Sequence, residues 1–292
     1  MLEDVLYPEV DENEDQVLYR LPPHRRCACH LLNLVASADV AKADTGSLKK
    51  LSVQTFSKLT ALWNKQNRSS LAADKMRESL GMLLPTPGDT RWNSVYDAVA
   101  KVNALLSVPE QETKLDQLLD QLDIKRLQPM HKTFVAEYIK VMHPVCTALD
   151  VLQGDKVAGL GYLVPTLTVV KNRLKECSQT LTVCKPLAVA LQTAVNTRFS
   201  EMMEDLNAQL AAVVNPMFKL DWVDDATAKV TLTQLLKNRI VSDARHEASP
   251  SSASVSSAAP LHMQSDISDE STSNFLQNFQ LEGRDQTHLI MT

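Results

Sequence analysis

The chain has 292 residues, 44% hydrophobic and 22% charged, which are the proportions of a soluble globular protein of one large or two modest domains. No apolar run reaches the ~18 residues that read as a membrane span, and the acidic start MLEDVLYPEVDENEDQVLY is unlike the basic and then apolar pattern of a secretory signal. The five cysteines make no disulfide framework and point to a reducing compartment, and only 7 glycines argue against a turn-rich strand fold.

Residues 1–23 read as an acidic loop or tail, with Pro8 and the pair Pro22-Pro23. Arg25–Cys29 has the length of a short buried strand, because cysteine is among the most buried residue types. From His30 the apolar rhythm is helical through Leu31, Leu34, Val35, Ala38 and Ala41, with Gly46 as its stop and Ser47 as the next cap. Leu48, Leu51, Phe56, Leu59, Leu62 and Trp63 then share one side of a helix, with Lys49, Lys50, Lys58 and Lys65 at its margins and back. A helix over Ser70–Leu83 is broken by LLPTPGDT. Asp89 or Thr90 caps the next, which begins near Arg91 and carries Trp92, Val95, Val99, Val102 and Leu106 on one face.

The spacing of Leu115, Leu118, Leu119, Leu122 and Leu127 predicts another helix, and Lys132–Leu152 a long one with Pro144 as a kink. QGDKVAGLGYLVP reads as a turn region. Helices follow over Leu167–Cys177 and Lys185–Leu206, then a short one ended by Pro216, then a last one over Asp224–Val241. The expected body is a mainly helical unit over 24–245, with at most one or two short strands near 25–29. Residues 246–292 form a Ser-rich tail expected to be disordered, with a transient turn near Phe275–Leu281. No repeat with a period of about 20–50 residues is found.

The net charge of −5 is unevenly spread. Residues 1–19 hold seven acids and no Lys or Arg, whereas residues 20–101 hold thirteen Lys/Arg against six Asp/Glu. Such a basic stretch is compatible with a phosphate-facing surface, and equally with solvated helix flanks. The chemistry-bearing candidates are fewer. His24, Cys27, Cys29 and His30 are crowded into one segment, unlike the two spaced pairs of a zinc site, and Cys29 and His30 cannot readily face one ion. A Cys–His nucleophile needs a separately placed base, which sequence neighbours do not supply. No phosphate loop, dinucleotide fingerprint or HExxH motif occurs.

RCACHLLNLV resembles the C-x-x-H-x-L-N-L motif of hAT-superfamily transposases, with Cys27, His30, Leu32, Asn33 and Leu34 in the matching positions. DTRWNSVYDAV resembles their T-R-W-N-S motif through Thr90, Arg91, Trp92, Asn93 and Ser94. YLVPTLTVVKNRLKE and TRFSEMMEDLNAQLAAVVNPMFKLDWV resemble later stretches, so the likeness spans roughly Leu21 to Val241, in the family's order. The likeness extends to the zinc finger BED domain-containing proteins, which are domesticated hAT elements.

The resemblance implies part of an RNase H-like core with its helical insertion domain. It also implies a chemistry of two Asp and one Glu holding divalent metal for strand cleavage, with oxygen ligands suited to Mg²⁺ or Mn²⁺. This chain departs from that pattern. The family's two Asp precede the C-x-x-H motif, and the acids from Asp11 to Asp15 do not match their D-x-A-x-N context. ISDESTSNFLQ, with Glu270, does not match the S-E-R-x-F-S context of the Glu, and no BED zinc finger precedes the motif.

The expectation is therefore a non-catalytic remnant or domesticated fragment with no metal of its own, located in the nucleus (or the cytoplasm) and binding DNA or protein. Mg²⁺ or Mn²⁺ would enter only if a longer chain supplied the acids. A homo-oligomer is compatible with an unpaired strand edge at 25–29; neither a membrane nor a small-molecule substrate is expected. The alternatives are a helical interaction scaffold with no nucleic-acid role and, third, an active transposase. The nucleic-acid candidates are Arg91, Trp92, Lys49 and Lys50. The family Trp stacks on an unpaired base, while Trp92 in register with Val95 and Val99 also reads as a core anchor.

Overall fold

The computed structural model describes residues 26–43, 46–88, 93–154 and 159–247. These residues are mainly helical and include no strand. In chain order they form α1 (Ala28–Leu34), a π-helical turn (Val35–Asp39), α2 (Val40–Ala43), α3 (Gly46–Arg68), α4 (Ser70–Leu80) and α5 (Asn93–Leu106). Then come α6 (Pro109–Gln121), α7 (Pro129–Gln153), α8 (Leu160–Thr180), α9 (Lys185–Glu204), α10 (Leu206–Val214) and α11 (Ala226–Glu247). The acidic segment 1–23 and the Ser-rich tail from 248 onward lie outside the described residues.

The strand expected at Arg25–Cys29 is corrected. Only Arg26 and Cys27 precede α1 in non-helical conformation, and Cys27 is its N-cap. Leu31, Leu32, Val35 and Ala36 are all buried, and this i, i+1, i+4, i+5 stripe is helical. The burial assigned to the cysteines belongs to those residues: Cys27 is exposed and Cys29 half-buried.

Helix ends follow local chemistry. Ser69 caps α4 by accepting the Ala72 N–H at 3.2 Å. Gly81, at φ +73°, ends it in a left-handed cap three residues before the expected Leu83. α7 starts at Pro129, three residues before the expected Lys132, because proline is pre-organised for the first helical position. It runs on through Pro144, which is buried.

α7 is the centre of the bundle: α1, α3, α5 and α8 all pack on it. Phe56 of α3 meets Phe134 and Tyr138 of α7 edge-on, with ring centroids 6.0 and 5.4 Å apart. α8 joins α7 to α9 and α10. At Gly161 a Cβ would lie 2.6 Å from the Ala211 carbonyl oxygen, so glycine permits the close approach of α8 to α10. Arg198 of α9 makes a two-pronged ion pair with Asp39, its Nη2 donating to Oδ1 at 2.9 Å and its Nε to Oδ2, which ties the N-terminal helices to α9. α11 packs on α10 near its start, and its residues 237–245 are exposed.

One buried carboxylate closes the α8–α9 corner. Glu137 of α7 accepts the N–H groups of Thr182, Val183 and Cys184 at 2.9, 2.8 and 2.7 Å and the Thr182 hydroxyl at 2.6 Å. Cys184, the N-cap of α9, makes no side-chain cap bond, so α7 supplies the cap instead. Burial opposes ionisation of Glu137, but the bonds from Thr182, Cys184 and Val183 outweigh it and hold the carboxyl below its ordinary value.

Glu137→Ala would leave three N–H groups, of which that of Cys184 is buried, without that acceptor and is expected to cost about 2 kcal/mol in denaturant unfolding. Because the folded pKa is lowered, the carboxylate's stabilisation is complete above the unfolded value of ~4.3 and fades as pH falls through the folded value. The difference between wild type and variant should narrow over that acid range. A variant with wild-type stability at neutral pH would show that the corner closes without the carboxylate.

Candidate nucleic-acid interface

α3 has 23 residues and contains Lys49, Lys50, Lys58, Lys65 and Arg68 but no Asp or Glu. Its inner face is Leu48, Thr55, Leu59, Leu62, Trp63 and Gln66, all buried. At ~100° per residue, Lys50 and Arg68 share one bearing nearly opposite that face, and Lys65 lies ~60° round from them toward its margin. All three are exposed, as is Lys49, which sits at the margin. Lys49, Lys50, Lys65 and Arg68 make no salt bridge to another described residue. The helix therefore shows solvent an uncompensated cationic surface.

A groove of about 860 Å³ lies beside this face. One wall is α3 from Val53 to Arg68, with Ser69 at its end; the other is Asp123, Ile124 and Lys125, with His131 also in the lining. Asp123 takes a left-handed conformation, φ 53°, as the chain leaves α6. Lys58 clamps the two walls by donating its Nζ to the Arg126 carbonyl at 2.8 Å. Burial, and then the charge of Lys125, lower the Lys58 pKa. His131 Nδ1 accepts the Gln128 N–H at 3.0 Å and lies 3.2 Å from Lys58 Nζ. Burial and Lys58 together push the imidazole below its usual pKa, toward the neutral form that accepts both bonds.

The segment between α4 and α5 is pinned to α3. Gln66 is buried and exchanges two bonds with the backbone of Leu84, accepting its N–H at 2.8 Å and donating to its carbonyl at 2.9 Å. Ser94 accepts the Gly88 N–H at 2.9 Å and donates to the Gly88 carbonyl at 3.0 Å. Asn93 donates to Asp150 of α7 at 2.6 Å. Asn93 and Ser94 thus anchor the start of α5. Thr90, Arg91 and Trp92 lie outside the described residues. Of the other motif residues, Cys27 and His30 are exposed and Asn33 is half-buried, its carbonyl accepting the Ser37 hydroxyl at 2.6 Å.

Around Tyr96 and Cys146, burial favours the neutral forms of the reactive side chains. Tyr96 donates toward or accepts from His143 Nδ1 at 3.0 Å. Burial, followed by nearby charges including Asp150, pushes the Tyr96 hydroxyl and the Cys146 thiol far above their ordinary values. Burial and Arg173 lower His143, and Cys146 donates to Asp150 at 3.9 Å, so neither is an activated member of a Cys–His pair. The Cys29 thiol is raised by its burial and by Cys27. Among the described residues no group of three or more His, Cys, Asp or Glu could hold a metal ion. Comparison of the chain with protein-family models, curated proteins and solved structures finds no match.

Gln66 and the walls of the groove escape a reading of the sequence. Gln66 continues the buried stripe of Leu59, Leu62 and Trp63, and a polar residue on such a stripe is the one signal it gives. Gln66→Ala should release Leu84: its amide protection from hydrogen exchange is expected to fall about tenfold, with amides in the middle of α7 unchanged. Unchanged exchange at Leu84 would mean that the segment is held by packing alone.

Proposed function

We propose that this chain is a non-catalytic, transposase-derived protein that binds DNA in the nucleus through the cationic face of α3. The observation that carries this reading is the acid-free α3, with its five cations, in a protein whose net charge is −5. Cations placed on a rigid helix neutralise phosphates and release condensed counterions, a sequence-independent attraction. The order of the C-x-x-H-x-L-N-L and T-R-W-N-S motifs supports the transposase origin. The absence of catalysis rests on the chemistry of the acids: those from Asp11 to Asp15, and Glu270, match neither sequence context that the family's metal ligands occupy.

A second reading, a helical scaffold for protein partners or a second copy, is favoured by α11, where Val230, Ile240 and Val241 are 70%, 58% and 48% exposed.

Binding of a labelled DNA duplex, followed by fluorescence anisotropy, separates the two. With about five phosphate contacts, affinity should fall several hundredfold between ~50 and ~200 mM salt, and Lys49→Glu/Lys50→Glu should weaken binding and flatten that dependence. No binding at the lower salt would sink the DNA reading in favour of the scaffold. In a nicking assay with Mg²⁺ or Mn²⁺, supercoiled DNA should stay intact; cleavage that disappears when the acids from Asp11 to Asp15 are replaced would show a working catalytic centre.

A further inference from the structure

We infer that the groove between α3 and the Asp123–Arg126 segment is a binding site for a single, unpaired nucleic-acid strand, held by its sugar–phosphate backbone through Lys58, Lys65, Arg68 and Lys125. This rests on the DNA-binding reading and deepens it, because Lys58, Lys65 and Arg68 belong to the same α3 cations and only Lys125 is added from the facing segment. Shape is the first argument. From Val53 to Ser69 the groove follows sixteen helical steps, about 24 Å. Spread over that length, its volume of about 860 Å³ gives a mean cross-section of roughly 36 Å² for the centres of water-sized atoms, and with the ~1.4 Å radius of such an atom at each wall the groove is about 9 Å across. That width is too narrow to seat the body of a duplex or a helical peptide with its side chains, which needs ~10–12 Å. It admits one extended chain.

Charge is the second argument. Lys58, Lys65, Arg68 and Lys125 line the groove against a single carboxylate, Asp123. Lys65, Arg68 and Lys125 are exposed and make no salt bridge to another described residue. Lys58 is the fixed member. Its bond to the Arg126 carbonyl and its contact with His131 leave it part-buried between the walls, and its nearest cation, Lys125, stands on the opposite wall. Cations thus flank the path of the bound chain from both sides, as a strand with a charge at every repeat requires.

The polar lining decides between a nucleic acid and an acidic peptide. An extended peptide is usually captured by backbone pairing along a sheet edge. The described residues contain no sheet, and the α3 wall offers side-chain groups alone: Gln54, Ser57 and Asn64 beside the cations. These suit phosphate and sugar oxygens. No aromatic side chain other than the imidazole of His131 lines the groove, so bases have no stacking platform and recognition should be indifferent to sequence.

The test uses the full chain and a labelled oligothymidine strand of about 15 nucleotides, with a duplex of equal length and an oligoglutamate of equal charge as competitors. Lys65→Glu and Lys125→Glu, on opposite walls, are each expected to weaken the strand about tenfold and to reduce its salt slope by about 0.7 per lost contact. Lys185→Glu, an exposed control on α9, should stay within about twofold. Lys125→Gln, milder for the fold, should give an intermediate loss, and circular dichroism confirms that each variant is folded. If Lys125→Glu binds the strand like Lys185→Glu while duplex binding persists, the groove site is refuted and the DNA reading stands. If oligoglutamate displaces the strand as well as unlabelled oligothymidine does, the groove selects charge and not a nucleic acid, and the inference fails. If neither strand nor duplex binds at low salt, both readings fail together.

Discussion

Three backbone N–H groups and a hydroxyl converge on Glu137, and the course of the chain after α7 depends on that convergence. Apolar packing brings α7, α8 and α9 together, but it is non-directional and does not choose where α9 begins. The carboxylate does. It is fixed on the face of α7 that also buries Phe134, Val135 and Tyr138, so it can meet only one turn of the chain. The Arg198–Asp39 pair is a weaker constraint, because its side chains are 23% and 16% exposed and water competes for them. Once the corner at Thr182–Cys184 is set, α9 is in place, and through α9 so are α1, the π turn and α2.

The charges are segregated around this frame. The inner face of α3 is locked to α7 by the Phe56 ring contacts, and every charged side chain of the helix is cationic. Lys132, at the start of α7, is answered by Glu112 at 2.7 Å and Asp116 at 3.3 Å on α6. Lys114 is answered by Glu110 at 2.7 Å. α6 thus compensates its cationic neighbours and α3 does not, although the two helices have ordinary and comparable amphipathic patterns. A solvated helix face gains from i, i+4 pairs of opposite charge, and α3 makes none. That is a physical difference between a surface that is merely wet and one disposed toward an anion.

Much of this was legible from apolar spacing. The spacing of Leu115, Leu118, Leu119, Leu122 and Leu127 predicts one helix face; all five are buried, as are Val99 and Val102 of α5, but α6 ends at Gln121 and Leu127 is buried from the non-helical segment beyond it. The same kind of spacing puts Lys49 and Lys50 at the margins and back of α3, and both are exposed. The misreadings have local causes. Cys27 and Cys29 were given a strand because cysteine is usually buried, but the leucines after them carry the stronger helical period. α8 begins seven residues before the expected Leu167, because Gly159, Gly161 and Pro165 look like punctuation in a sequence. In the fold Gly161 marks a helix crossing and Pro165 is buried within the helix. Glu137 and Gln66 were invisible for another reason: each sits on an apolar stripe, yet their partners lie 45 and 18 residues away in sequence, and spacing within one helix carries no information about them.

The residues that carry the transposase resemblance also have structural work to do, and this bears on what their presence implies. Ser94 closes a two-bond ring with Gly88, Asn93 joins α5 to α7 through Asp150, and the carbonyl of Asn33 holds Ser37 inside the π turn. Each of these bonds is made within the helical body and needs no catalytic acid. A chain that retained only the helical body would still need a polar residue at the start of α5 to reach α7, and a hydroxyl to receive the backbone at Gly88. The motif residues are therefore accounted for by bonds within this helical body, and the proposal that α3 binds nucleic acid rests on its cations and not on the motif.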